Sequence, residues 1–559
     1  MDGLVIPAQP SATTRETISM LALEASCAES GADCAERILE TPGTLRAATR
    51  LVAASDLLFL HARKTRGPER ETAFRRCGQL THRYLTEAGL AGRRGPLDAR
   101  SQMAFRLHNA CTAGLVQTLG SQLESLDWEV DEQRFPRHAV ERIELADALR
   151  VSGLRTRQVD DGIGVPAVAF GYAHEPIGAF PAQPFALAIT VRLAFDSDGA
   201  ARLVVTDASQ SRSVETVFGP VPLARDMSVA YAGAAIAFEE ELSRWEALLG
   251  ALPGDEATQI RLLAPVDDTK TPVLLIHGLA SSPMAWANMI NELLGDPDIS
   301  AHYQFWMARY PTGLPILVNR QNLARAIDDF RAITGTSPES PLQSMIVVGH
   351  SMGGVLTRLL VTDPGTALWE AAFDAPPEQL AGSPEDIAAA RDLFVFEPIG
   401  GVEEVVFIAT PHGGSVRADG PLASLVRGLI KGPGRTLEFL TRLARSNLER
   451  VRPDLRDNYQ RGGPDSLNTL SPSQPVIQAA RHLPIVPGIK THSVIGIVDP
   501  ALPAKGDGVV SLESASWPAD AEYRIEGGHN LHTVPETILT LKGILLARLP
   551  SYAPGSDEH

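Results

Sequence analysis

Three residue types that together carry out nucleophilic catalysis follow one another in the C-terminal half of the chain. Ser351 lies in "IVVGHSMGGVL" (346–356), Asp507 in "GDGVV", and His529 in "RIEGGHNLH". A serine hydroxyl is a poor nucleophile unless a base takes its proton, and the base needs a carboxylate to orient it. This set predicts a serine nucleophile, an acid and a histidine base that act through an acyl-enzyme. The base must be uncharged to accept the proton, so we expect activity to fall in acid.

The acid and the base each have a competitor in the sequence. His532 follows His529 after three residues, and Asp499 precedes Asp507 at the end of a strand-like segment. We favour His529 because it lies in a glycine-flanked loop after the last predicted strand. We favour Asp507 because its flexible turn can aim a carboxylate at that loop, whereas Asp499 precedes a proline and is expected to cap a turn. His412 comes before any suitable acid and is not expected to be the base.

Two backbone N–H groups are candidates for stabilising the negative charge that develops on a substrate oxygen. Met352 follows the serine at the predicted start of a helix, where backbone N–H groups and the helix dipole favour an anion. Leu279 lies in "HGLASS", the loop after the first predicted core strand. We predict that these two N–H groups form an oxyanion hole. His277, in the same loop, is expected to hold the loop through ring hydrogen bonds.

The elements that must position these residues alternate between strand and helix from about residue 265 onwards. The continuous apolar run "TPVLLIHG" (271–278) is typical of a strand buried on both faces. Further segments are predicted to be strands: "YQFWMARYP", "SMIVVG" (344–349), "VEEVVFIATP" (402–411), "HSVIGIV" and "AEYRIEG". Helical segments separate these runs, and "VPETILTLKGILLARL" closes the domain as an amphipathic helix. The alternation predicts a mostly parallel sheet flanked by helices, with Ser351 in a sharp strand-to-helix turn.

A helical insertion interrupts this alternation at residues 413–463. Two amphipathic helices are expected around "GPG", and the insertion carries twice as many basic as acidic residues in an otherwise acidic chain. It is either an ordinary solvated insertion or a lid. A lid would cover the active site with its apolar face and contact lipophilic substrate or a membrane surface. That face would consist of Leu425, Leu429, Leu437, Leu440 and Leu443.

The rest of the chain contains no motif with a nameable chemistry. We predict a mainly helical region at 1–150, a β-hairpin region with a connecting helix at 151–264, a catalytic domain at 265–552 and a polar tail at 553–559. The hairpin is indicated by two strand-like runs around an Asp-Gly turn. The cysteines are expected to be reduced in a helical core, with a disulfide between two of them left open. They are Cys27, Cys34, Cys77 and Cys111.

The composition is that of an ordinary globular protein with an acidic balance. The formal net charge of −17 argues against a nucleic-acid partner, which would require a basic face. We expect no metal site, because no C-x-x-C pair occurs, and no transmembrane helix or signal peptide. A cytoplasmic location is the default expectation, with the bacterial envelope as the alternative.

The motifs "VLLIHGLASSPMAW", "VVGHSMGG", "FIATPHGGS", "GDGVVSLESA" and "GGHNLHTVPETI" resemble those of α/β-hydrolase-fold serine esterases and lipases. More narrowly, they resemble bacterial hydrolases related to GPI inositol-deacylases and triacylglycerol lipases, over about residues 265–550. The resemblance implies an α/β-hydrolase fold with a helical lid insertion and an N-terminal α+β extension. It also implies cofactor-independent hydrolysis of small-molecule esters or acyl lipids by Ser351, His529 and Asp507. Gly413 departs from the related pattern, which has a basic residue after the histidine.

The same three residues are compatible with other reactions. An acyltransferase, a thioesterase or an amidase would use the same nucleophile, acid and base, and the fold does not separate them. A non-catalytic binding module on a hydrolase scaffold is the alternative from a different class, and the intact set of site residues argues against it.

Overall fold

The structure, a computed structural model, describes residues 8–42, 45–87, 98–119, 126–130, 139–149, 153–172, 184–196, 199–216, 218–234, 258–334, 340–414, 438–460 and 474–549. The chain divides into two compact units, Met1–Ala237 and Phe238–His559. Helices and strands of the first unit bury their apolar faces in one common core. The region boundaries expected at residues 150 and 264 stay predictions.

The first unit combines a helical layer with a small sheet. Its helices are α1 (Ala12–Met20), α2 (Glu24–Glu29), α3 (Gly31–Glu40), α4 (Ala47–Lys64), α5 (Gly67–Thr86) and α6 (Ala99–Leu119). Its strands are β1 (Leu126–Glu129), β2 (Val140–Leu145), β3 (Val159–Asp160), β4 (Val165–Tyr172), β5 (Pro184–Phe195), β6 (Ala201–Asp207), β7 (Ser213–Thr216), β8 (Gly219–Pro222) and β9 (Arg225–Asp226). Five strands form a sheet in the order β1-β6-β5-β4-β2, and β5 and β6 pair as an antiparallel hairpin.

The cysteines of the first unit are paired, so the expectation of reduced thiols was wrong. The structure has disulfides Cys27–Cys34 and Cys77–Cys111. The chain is not one continuous helix between Cys27 and Cys34: α2 ends and α3 begins around Ser30, which brings the two Cα atoms to 4.8 Å. The other pair joins the consecutive helices α5 and α6 through two cysteines that are 34 residues apart in sequence. Such a contact depends on packing that local sequence patterns do not reveal.

The second unit is built on a seven-stranded sheet. Its strands are β10 (Gln259–Leu262), β11 (Thr271–Ile276), β12 (Tyr303–Arg309), β13 (Met345–His350), β14 (Val402–Ile408), β15 (Lys490–Ile497) and β16 (Ala521–Glu526). They are ordered β10-β12-β11-β13-β14-β15-β16, and all neighbours are parallel except the antiparallel pair β10–β12. The central strands β11, β13 and β14 are buried except at Thr271 and Glu403, near the starts of β11 and β14. This arrangement fits an α/β-hydrolase fold.

Helices follow most strands of this sheet. They are α7 (Ala287–Leu294), α8 (Pro297–His302), α9 (Ile316–Thr334), α10 (Met352–Leu360), α11 (Ala367–Ala372), α12 (Pro384–Phe394), α13 (Glu438–Ser446), α14 (Pro453–Gln460), α15 (Pro475–His482), α16 (Leu512–Ala515) and α17 (Pro535–Leu546). Because neighbouring strands are parallel, the loops after β11, β13, β15 and β16 meet at one edge of the sheet. Among the described residues, none of the helices is long and apolar enough to cross a membrane.

Part of the insertion that we interpret as a lid lies outside the described residues. Residues 415–437 and 461–473, with Leu425, Leu429 and Leu437, are not described. Leu440 and Leu443 lie on α13 and are buried. This helix packs against α12, and Arg442 forms an ion pair with Asp386 at 3.0 Å. The lid itself stays a prediction.

Candidate active site

Ser351 occupies the junction between β13 and α10. Its backbone has φ +55° and ψ −123°, a conformation that is rare for a residue with a side chain. The serine N–H donates to the carbonyl oxygen of Ile408 at 2.9 Å, which ties the turn to the neighbouring strand. The conformation is the sharp strand-to-helix turn predicted from the sequence, and it projects the hydroxyl at the carboxyl edge of the sheet.

Two glycines allow α10 to start close to the sheet. A Cβ at Gly353 would overlap the carbonyl oxygen of Ile276 on β11, and a Cβ at Gly354 would overlap the hydroxyl of Thr410. The first obstacle is backbone and cannot rotate away. Glycine is therefore required where the nucleophile-bearing turn and the first helical turn pass the neighbouring strands.

His529 lies between Ser351 and Asp507. Its Nε2 is 2.8 Å from Ser351 Oγ, and its Nδ1 is 2.8 Å from Asp507 Oδ2. The histidine follows β16 and the aspartate follows β15, so each side chain arrives from a neighbouring strand end. In this arrangement Nδ1–H donates to the carboxylate, and Nε2 is left to accept the serine proton.

The carboxylate of Asp507 is held by its own turn. Oδ1 accepts the backbone N–H groups of Val509 at 2.8 Å and Val510 at 2.7 Å, which leaves Oδ2 for the histidine. Gly506 and Gly508 flank the aspartate with φ of +60° and +84°, so this turn needs glycine on both sides. The rival acid Asp499 instead accepts the N–H of Ala501 at 2.9 Å and caps its own turn.

The rival base His532 has a different environment. Its ring packs at 4.2 Å from the ring of His350 and at 5.4 Å from that of Trp286. Burial, and then the charge of His529, lower the pKa of His532 to about 4. The structure brings His529, and not His532, between the serine and the aspartate.

His350 contacts His529, and this contact was not predicted from the sequence. It immediately precedes Ser351, is buried, and its Nε2–H donates to the backbone carbonyl of His529 at 2.8 Å. Burial, followed by the charges of His532 and His529, holds the pKa of His350 well below its usual value, so the ring is neutral. A polar residue at the end of an otherwise apolar strand was the available signal.

The loop after β11 lies beside the serine. A Cβ at Gly278 would lie 3.1 Å from Ser351 Cβ, so the loop approaches the serine closely at this residue. Leu279 is the next residue of the loop. His277 Nδ1–H donates to the Gly278 carbonyl at 3.0 Å, and the Tyr310 hydroxyl donates to the His277 carbonyl. Burial lowers the pKa of His277 to about 4 despite this bond to Gly278, so the ring supports the loop as a neutral group.

Comparisons with known proteins give distant structural neighbours. No protein-family model matches the chain, and no curated protein matches it. The mature form of lipase BlEst2 from Bacillus licheniformis is 18% identical, with 53% of this chain and 99% of that chain covered and a TM-score of 0.30. Lipase 1 from Pelosinus fermentans is 13% identical, with 50% and 99% covered and a TM-score of 0.31. Both of these neighbours are lipases.

Proposed function

We propose that the protein is a serine hydrolase that cleaves carboxylic esters through an acyl-enzyme. The observation that carries the proposal is the position of His529, which contacts Ser351 Oγ and Asp507 Oδ2 at 2.8 Å each. A nucleophile, a base and an orienting carboxylate in hydrogen-bonded sequence are the arrangement that acyl transfer requires.

In the first half of the reaction, Ser351 Oγ attacks the ester carbonyl carbon while His529 Nε2 takes the hydroxyl proton. The resulting imidazolium is stabilised by the carboxylate of Asp507, whose other oxygen accepts two backbone N–H groups and so holds the carboxylate in place. The tetrahedral intermediate then collapses, and His529 returns the proton to the departing alcohol. Ser351 is left esterified by the acyl group.

The oxyanion of that intermediate would rest on the backbone N–H groups of Leu279 and Met352. The loop that carries Leu279 lies against Ser351, and Met352 is the first residue of α10. The helix N-terminus adds a partial positive charge at this position. Donors of this kind act most strongly where charge develops in the transition state, and removal of one costs about 10²–10³ in rate.

In the second half, water attacks the acyl carbonyl carbon and His529 takes the water proton. Collapse of the second tetrahedral intermediate breaks the bond to Ser351 Oγ, which receives the proton back, and a carboxylic acid leaves. The ring of His529 must keep its orientation throughout this cycle. The hydrogen bond from His350 to the His529 carbonyl restrains the backbone from which the ring projects.

The substrate part of the proposal rests on the insertion. We interpret residues 413–463 as a lid, whose basic and apolar composition suits esters with a lipophilic acyl chain or an acyl lipid at a membrane surface. An esterase for short acyl chains would use the same triad without that lid function. The preferred acyl-chain length of the substrate therefore distinguishes a lipase from an esterase.

A fluorophosphonate probe and a p-nitrophenyl ester series test the proposal. We expect the wild-type protein to be labelled at Ser351 and to hydrolyse the esters, and Ser351→Ala to lose both properties while it remains folded. No labelling and no turnover would refute hydrolase activity. A sharp preference for the shortest acyl chains would refute the lipase interpretation and leave the esterase.

A further inference from the structure

Two loops of the second unit meet beside the proposed oxyanion hole. One loop, residues 277–282, follows β11 and carries Leu279, and the other, residues 310–315, follows β12. Because β11 and β12 are parallel neighbours, both loops leave the sheet at the edge where Ser351 lies. The contacts between these loops decide how firmly the Leu279 N–H is held.

The residue after Leu279 has an unusual backbone conformation. Ala280 has a φ of +52°, in the left-handed region that residues with a side chain seldom adopt. In the described part of the chain, the other residues than glycine with a positive φ are Ala22, Ser351 and Ala409, and the last two follow β13 and β14 at the same sheet edge. Such conformations persist only where surrounding contacts fix them, and they cluster at functional sites. A contact outside Ala280 must therefore hold its shape.

Thr312 provides such a contact. Its Oγ1 accepts the backbone N–H of Ala280 at 3.3 Å. The loop of Thr312 is itself anchored: the Leu314 N–H donates to the Pro311 carbonyl at 3.3 Å, and the side-chain amide of Asn319 on α9 donates to the Leu314 carbonyl at 3.1 Å. Thr312 thus ties the residue with the rare conformation to a turn that is fixed on a helix.

Tyr310 fixes the loop on the other side of Leu279. Its hydroxyl donates to the carbonyl oxygen of His277, and its ring stacks on the His277 ring with centroids 4.5 Å apart and planes at 16°. The same carbonyl oxygen would lie 2.5 Å from a Cβ on Gly353, so no side chain fits between this loop and the helix that begins at Met352. The loop after β12 therefore holds residues both before and after Leu279.

We propose that Thr312 is a positioning residue for the proposed ester hydrolysis, and this inference rests on that function. Its hydroxyl oxygen keeps Ala280 in the left-handed conformation and thereby keeps the Leu279 N–H where the oxyanion forms. Without the bond, the steric preference of alanine against this conformation amounts to about 5- to 30-fold in population. The fraction of molecules with the Leu279 N–H in place falls by the same factor. Thr312 acts through Ala280 and not on the substrate.

Hydrolysis of p-nitrophenyl butyrate by Thr312 variants tests this role. Thr312→Val removes the acceptor oxygen and keeps the shape of the side chain, so kcat should fall about 5- to 30-fold with KM within about three-fold. Thr312→Ser keeps the oxygen and should retain kcat within about three-fold of wild type. A trifluoromethyl ketone forms an adduct with Ser351 that places an oxyanion in the same site. Thr312→Val should bind this inhibitor more weakly by about the factor lost in kcat.

A second substitution at Ala280 separates the conformational explanation from a general loss of packing. Glycine adopts positive φ without a steric cost, so it does not need the bond to Thr312 to remain there. Ala280→Gly combined with Thr312→Val should therefore recover kcat at least about two-fold relative to Thr312→Val alone. This change would not repair a packing defect at residue 312.

Thr491→Val is the matched control. The hydroxyl oxygen of Thr491 likewise accepts a loop N–H, that of Asp520 at 2.8 Å, but at the start of β15, on the opposite edge of the sheet from Ser351. The hydroxyl also donates to the Asp520 carboxylate at 2.9 Å. We expect Thr491→Val to unfold at a lower temperature than wild type and to keep kcat within about two-fold.

Four results would overturn this inference while the wild-type protein is active: a kcat of Thr312→Val within about two-fold of wild type, an equal loss in Thr312→Ser, a double variant no more active than Thr312→Val, or an equal loss in Thr491→Val. The last result would mean that kcat follows stability. A wild-type protein that neither hydrolyses esters nor reacts with a fluorophosphonate would refute the hydrolase proposal and this inference with it.

Discussion

Asp507→Asn is a substitution whose effect can be worked out from individual hydrogen bonds. In the wild-type turn, Oδ1 of Asp507 accepts two backbone N–H groups, and Oδ2 accepts Nδ1–H of His529. An asparagine has one oxygen and one NH2 group for these two positions. With its oxygen at the Oδ1 position, the NH2 group faces His529 Nδ1. Nδ1 must then accept, the ring proton moves to Nε2, and Nε2 can no longer take the proton of Ser351.

The opposite amide orientation restores the working tautomer but costs two hydrogen bonds. The N–H groups of Val509 and Val510 would face an NH2 group in a site where Asp507 is 4% exposed. Each buried donor without an acceptor costs about 1–3 kcal/mol, so the working orientation is disfavoured by about 2–6 kcal/mol. At about 1.4 kcal/mol per factor of ten, kcat should fall by about 30-fold to about 2 × 10⁴-fold. A loss of about 10⁴-fold is what a wrong histidine tautomer produces in a serine triad.

Asp499→Asn provides the control. Asp499 accepts only a turn N–H, that of Ala501, in the described structure, and an asparagine oxygen can do the same. Hydrolysis of p-nitrophenyl butyrate gives kcat and KM for both variants, and thermal unfolding shows whether the fold is kept. We expect Asp499→Asn to retain kcat within about two-fold. We expect Asp507→Asn to lose kcat with KM nearly unchanged.

Two outcomes would refute this reasoning. If Asp507→Asn kept kcat within about three-fold of wild type, the carboxylate would not be the group that orients His529. If Asp499→Asn lost as much activity as Asp507→Asn, the acid would be wrongly assigned. A large fall in the unfolding temperature of Asp507→Asn would instead mean that the turn depends on the charge, and the tautomer argument would fail.

The remaining predictions concern the histidines and the nucleophile turn. His529→Ala should lower kcat by about 10⁴- to 10⁶-fold, whereas His532→Phe should keep activity within about ten-fold; the reverse pattern in the same ester assay would exchange their roles. The pKa of His532 is lowered to about 4, so from pH 6.5 down to 4 its unfolded form binds a proton that its folded form does not. The free energy of unfolding should therefore fall by up to about 1.4 kcal/mol per pH unit for this group, and His532→Phe should remove that part of the slope in urea titrations. Gly353→Ala should cost about 1–3 kcal/mol or more, because its Cβ meets backbone, whereas Gly400→Ala, with nothing within 4 Å, should change stability by less than about 0.5 kcal/mol; equal losses in the two would be inconsistent with the close approach.

Local sequence patterns allowed the most detailed predictions of strands and site residues in the second unit. The continuous apolar run at 271–278 predicts a buried strand, and the structure has a strand at this segment and at each of the other five segments predicted to be strands from residue 265 onwards. The order of nucleophile, acid and base follows from the loops at one sheet edge. The choice of Asp507 over Asp499 rested on the G-D-G turn, and the structure brings Asp507 to His529. These inferences need only neighbouring residues and the regularity of parallel sheets.

Contacts between segments that are distant in the sequence could not be predicted from local patterns. The bridge between Cys77 and Cys111 depends on how two helices pack, and the bond from His350 to the His529 carbonyl joins residues 179 positions apart. Likewise, Arg481 Nη1 lies 2.9 Å from the position that a Cβ on Gly413 would take, and this proximity depends on how α15 packs. Sequence periodicity says which face of an element is buried and does not say which partner it meets.

The disulfides have a consequence for how the protein responds to reducing conditions. All four cysteines belong to the first unit, and both bridges link segments within it. A thiol reductant therefore has no covalent target in residues 238–559, the part that carries Ser351, Asp507 and His529. Reduction by dithiothreitol therefore breaks covalent bonds only in residues 1–237 and leaves the covalent structure of residues 238–559 unchanged.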